Sequence, residues 1–167
     1  MADRTPTPKE QYREIYEREL PTTLKVLRAF PADKSTYKPH EKSNTALQLA
    51  WTFVVENNIV IAALKGPLDL SAAFPGPQGT YSDIIVTYEK SAKQLLATLK
   101  GTPDSRLLET VKFPSGKGQI ADYKVIDFMW FMLLDCIHHR GQLSTYIRPV
   151  GGKVPAIYGP SGDEPWN

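Results

Sequence analysis

The stretch "KVIDFMWFMLLDCIHHRGQLSTYIR", residues 124–148, decides the fold class. It holds no proline, is apolar for most of its length, and stops at Pro149 with Gly151 and Gly152 just beyond. That pattern predicts one long helix. Three more segments predict helices of similar length. In residues 8–30, Tyr12, Ile15, Tyr16, Leu20, Leu24, Leu27 and Phe30 recur at intervals of three and four, one face of an amphipathic helix. Thr7 and Pro8 form its start signal. Pro21 falls inside and is expected to kink or divide it. A second helix is expected to open at Ser43, run through "NTALQLAWTFVVENNIVIAALK" and stop at Gly66. Apolar nearly all round, it reads as the buried central helix. A third, after Thr80, runs to about residue 100. Between the third and fourth, "LLETVKF" before "PSGKG" reads as a short hairpin or an extended arm. Four long helices in a chain of 167 residues, read as a single domain over 1–167, predict an all-α helical bundle.

Composition narrows the function classes. With 20 basic and 18 acidic residues the formal net charge is +2, and no Lys/Arg run provides a nucleic-acid footprint. Cys136, the one cysteine, excludes an intramolecular disulfide and a Cys-rich zinc knuckle, and is expected to be a buried free thiol. The polar opening "MADRTPTPKEQYREIYERE" lacks a signal-peptide core, and no run of about 18 apolar residues stands out. No nucleic acid, no membrane and a cytoplasmic location are the expectations.

The chemistry concentrates at the end of the fourth helix. Asp135 and His139 stand four apart and share a face, so a carboxylate and an imidazole can hold one divalent ion between them. A hydrogen-bonded polar pair is the competing reading of the same spacing. A metal site also needs a ligand from a facing helix. His138 points about 100° away from His139 and is expected at the surface or beside the site. Arg140 is expected to pair with a carboxylate, and Gln142 to satisfy a polar neighbour.

Two segments, "FPADKSTYKPHEKSNTALQLAW" and "HHRGQLSTYIRPVGGKVPAIYGPSGDEPW", resemble the DinB/YfiT-like family, with His139–Arg140–Gly141–Gln142 the most specific element. The resemblance implies an up-down-down-up four-helix bundle, commonly a homodimer, with nickel or zinc held by three histidines between helices. It further implies metal-dependent transferases or hydrolases, some using a small-molecule thiol. One family histidine falls on His139, a second on Asp135, and the third on Thr52, whose hydroxyl is a poor ligand. Glu56, one turn beyond Thr52, is the candidate replacement. The candidate metal set is therefore His139, Asp135 and Glu56, with Thr52, Trp51, His138, Arg140 and Gln142 around the pocket. Two outcomes stay open: a metal-dependent enzyme with an altered triad, or a non-catalytic stress-associated binding or structural dimer that has lost its metal.

Overall fold

The structure, a computed structural model, describes residues 4–69 and 75–166. Part of the Pro/Gly-rich loop expected between the second and third helices lies outside the described residues. Helix α1 (Pro8–Ala29) starts at a reciprocal cap: the Glu10 N–H donates to Thr7 Oγ1 at 3.2 Å, and the Thr7 N–H donates to Glu10 Oε2 at 2.8 Å. Pro21 does not divide it. The residue is exposed, and so is Glu17, whose carbonyl loses its helical donor. Water can satisfy that oxygen, while Tyr16 before the proline and Leu27 after it are both buried and anchor the two halves in the core.

A single turn of 3₁₀-helix, Ala32–Lys34, leads to α2 (Ala46–Lys65). Thr45 caps α2, two residues later than the Ser43 start expected from the sequence. The reason is the partner at the third helical position: Gln48 reaches back from Thr45 to the Thr45 N–H at 2.9 Å, whereas three residues beyond Ser43 stands Ala46. Ser43 instead closes a turn, donating its N–H to the His40 carbonyl.

Helix α3 (Tyr81–Gly101) is capped reciprocally by Thr80 and Asp83. A five-residue helix, α4 (Asp104–Leu108), follows; the sequence reading did not anticipate it. The hairpin reading of the next segment holds, with β1 (Thr110–Gly116) antiparallel to β2 (Gln119–Lys124) and Gly118 in the left-handed region at φ 71°. Helix α5 (Val125–Ile147) runs directly from β2 and ends in a 3₁₀ turn, Arg148–Val150. The described chain is thus mostly helical, five α-helices and one small sheet, where the sequence predicted an all-α bundle of four long helices with a short hairpin or arm before the last.

Helix α2 packs on α3 and α5, and α1 on the other side of the same pair. Core residues from all four meet in two clusters, one around Tyr12, Val60, Leu95 and Phe128, the other around Leu27, Phe53, Ile84 and Leu143. This explains the composition of α2. Contrary to the sequence expectation, Ala46–Lys65 is long and apolar enough to cross a membrane by length and composition, yet 61% of the qualifying window is buried inside the protein. The apolar surface is already covered by neighbouring helices.

Candidate metal centre

Glu56 comes from the middle of α2, and Asp135 and His139 from successive turns of α5. Because α2 is covered nearly all round, its acid is carried inward with it, and Glu56 is 5% exposed. His139 Nδ1 lies 2.7 Å from Glu56 Oε1 and 3.9 Å from Asp135 Oδ1. One ligand atom from each of the three lies within 4.8 Å of the others. The side chains grade outward, Glu56 deepest, then His139 at 20% exposure and Asp135 at 38%.

Burial pushes the Glu56 carboxyl up to about 7, outweighing the His139 hydrogen bond that works in the opposite direction. His139 is raised too, first by its bond to Glu56 and against the opposing effect of burial. Among the described residues, Glu56 Oε2 is the buried side-chain atom without a hydrogen-bond partner. Burial pushes the Cys136 thiol beside it well up, and the Glu56 carboxylate adds to that, so it is no nucleophile near neutral pH. A cavity of about 10 Å³, room for one water at most, borders Glu56, Tyr16 and Cys136.

These residues fit a divalent ion. Ligand atoms about 2.0–2.2 Å from a tetrahedral centre stand roughly 3.4 Å apart. The two separations measured at His139, 2.7 and 3.9 Å, bracket that value. One imidazole and two carboxylates form a donor set suited to borderline first-row metals, and an orphaned buried oxygen is a ligand atom without another task.

The remaining candidates fall in three places. Thr52 is turned back on its own helix, its hydroxyl donating to the Gln48 carbonyl at 3.2 Å, and Trp51 donates its indole N–H to the Pro75 carbonyl at 2.7 Å. Neither belongs to the three-residue cluster. His138 and Gln142 sit on the exposed side of α5, 2.7 Å apart, and line a groove there rather than the metal cluster.

Arg140 leaves the site altogether. It is 1% exposed and donates to Glu19 Oε2 at 2.8 Å and to Thr23 Oγ1 at 3.3 Å, on the α1 side. The Tyr158 hydroxyl also contacts the guanidinium and donates to Glu19 at 2.6 Å, and the Tyr158 ring lies 5.0 Å from the guanidinium carbon. Glu19 and Tyr158 were missed from the sequence. Glu19 was readable in principle, since it interrupts the buried face of α1 between Tyr16 and Thr23. Tyr158, in an irregular tail, carried no such signal.

Comparison with known proteins agrees with this architecture. The family model described as "DinB family" matches residues 2–166. The chain belongs to the DinB family. A curated relative, the uncharacterised protein YrdA of Bacillus subtilis (strain 168), is 24% identical over 165 residues, covering 93% of this chain and 90% of its own. Two solved structures share the fold. A DinB-like protein from Bacillus cereus ATCC 10987 superposes with a TM-score of 0.71 at 19% identity, covering 88% of this chain and 95% of that one. YjoA, a DinB-like protein of Bacillus subtilis, gives 0.68 at 17% identity, covering 84% and 92%.

Proposed function

We propose that this DinB-family protein binds one divalent metal, nickel or zinc, through Glu56, Asp135 and His139, and works as a metal-dependent thiol transferase or hydrolase. The observation that carries the reading is the buried carboxylate of Glu56, with Oε1 on His139 and Oε2 unpartnered. A buried oxygen without a partner costs about 1–3 kcal/mol, and a bound ion would satisfy it. A divalent ion in this position supplies Lewis acidity, which makes a thiol or a water acidic near neutral pH.

The chain's own residues set the rest. His139 and Glu56 share a proton in the metal-free protein and release it when an ion takes their ligand atoms. Asp135, the most exposed of the three, marks the side from which a substrate reaches the site. Cys136, neutral and buried, takes no part as a nucleophile. The reading includes an up-down-down-up bundle of α1, α2, α3 and α5, a homodimer and a cytoplasmic location, in keeping with the family. A non-catalytic binding protein is the second reading. It is favoured by Thr52, whose hydroxyl is spent on Gln48 and leaves the site one imidazole.

Calorimetric titration of metal-free protein with Zn²⁺ and Ni²⁺ tests the proposal, with thermal unfolding as the check that each variant folds. Wild type should bind one equivalent, and His139→Ala and Glu56→Gln should each weaken binding by about 100-fold or more, as expected when one of three ligands is removed. If wild type and His139→Ala bind both ions equally poorly, the metal reading fails.

A further inference from the structure

Beside the candidate metal cluster, an open groove of about 750 Å³ lies between the exposed side of α5 and the loop preceding α2. That volume lies within the range of small-molecule sites, about 300–1,000 Å³. The groove and the metal cluster share a helix: the His138 and His139 rings are 5.5 Å apart, one facing each.

The loop wall is built in advance. The Ala46 N–H donates to the Tyr37 carbonyl at 2.9 Å, and the Leu47 N–H to the Ser35 carbonyl at 2.8 Å. The Tyr146 hydroxyl, from α5, donates to the Asn44 carbonyl at 3.2 Å and so pins the loop to the helix. A wall held this way loses little freedom when a ligand arrives.

Its chemistry is one-sided. The lining carries Lys42, the amides of Asn44 and Gln142, and His138, and no Asp or Glu. Asp135 and Glu56 belong to the neighbouring cluster, and Glu41, next to Lys42 in the chain, is not among the lining residues. The Gln142 amide nitrogen and His138 Nε2 lie 2.7 Å apart and hold each other at the groove. Several donors and one cation with no opposing carboxylate select an anion.

Gly141 adds a second observation. It lies in the interior of α5, where glycine costs about 1 kcal/mol against alanine. A Cβ built there meets nothing within 4 Å. Packing within the chain does not require glycine, and a larger side chain would project into the groove it lines.

We infer that this groove binds a small carboxylate-bearing organic anion through Lys42, Asn44, His138 and Gln142, with Gly141 leaving the space it occupies. As the substrate pocket of the metal centre the groove rests on the function proposed above; as an anion site it stands without it.

Glutarate and its neutral analogue glutaramide are the probes, titrated into the full-length, metal-free protein and followed by amide chemical shifts. Glutarate should saturate, moving signals of residues 42–44 and 138–145, with glutaramide about tenfold weaker for want of charge-assisted bonds. Lys42→Gln, an exposed substitution, should weaken glutarate by about tenfold. Gly141→Leu should abolish the shifts, and Zn²⁺ should titrate both variants as it does wild type. If Gly141→Leu unfolds, Lys42→Gln decides. Absence of saturation, equal binding of the two probes, or an unchanged Lys42→Gln would overturn the inference. Glutarate binding without Zn²⁺ binding would sink the metal centre and leave the groove; the reverse would sink the groove.

Discussion

The deepest-set ligand makes a prediction about the metal-free protein as a function of pH. Glu56 titrates near 7 when folded and near 4.5 when its burial is lost. Below 4.5 both states hold the proton and burial of the neutral acid carries no penalty of ionisation. Between 4.5 and 7 the unfolded chain has lost that proton while the folded one keeps it, so stability falls as pH rises. Above 7 the loss is complete, and the gap between the two values corresponds to about 3 kcal/mol. His139, also raised, contributes in the same sense: its stabilising share is present below 6.5 and is lost as pH climbs through its folded value.

The assay is urea unfolding at fixed ionic strength from pH 5 to 8, for wild type and Glu56→Gln. Wild type should lose about 2–3 kcal/mol relative to the variant across that window, since glutamine cannot ionise. Saturating Zn²⁺ should reverse the trend in wild type alone, because at higher pH the metal no longer competes with a proton. Parallel pH profiles for wild type and Glu56→Gln would refute the argument that Glu56 is held protonated by burial.

Two further outcomes follow from the geometry. Arg140→Met should destabilise the protein by about 3–5 kcal/mol, as it strands the Glu19 carboxylate in the interior; pairing it with Glu19→Leu should recover most of that loss, read from denaturation midpoints of the single and double variants. Thr52→His, one turn from Glu56 on α2, should raise Zn²⁺ or Ni²⁺ affinity by at least about tenfold in calorimetry, since an imidazole replaces a hydroxyl that now bonds its own helix.

Local patterns in the sequence were enough for the helices. Tyr12, Tyr16, Leu27 and Phe30 repeat at helical spacing and lie buried, and the start signals at Thr7 and Thr80 are used as caps. Such features depend on neighbours three or four residues away, so the chain discloses them without a fold. The i, i+4 relation of Asp135 to His139 is of the same kind. The start of α2 was misplaced for a local reason as well, because Ser43 and Thr45 are both capping types and Gln48 decides between them.

Tertiary packing decided the partners. That Glu56 meets His139 across 83 positions of chain, while Arg140, the very next residue, turns to Glu19 on α1, depends on which faces of α5 look at α2 and α1. Helical rotation between adjacent residues is about 100°, so neighbours in sequence serve different interfaces. Only the packed helices could assign one side chain to a candidate metal cluster, the next to a buried ion pair, and His138 before them to an open groove. The raised carboxyl at Glu56 has the same origin, since its cause is exclusion of water by helices distant in the chain.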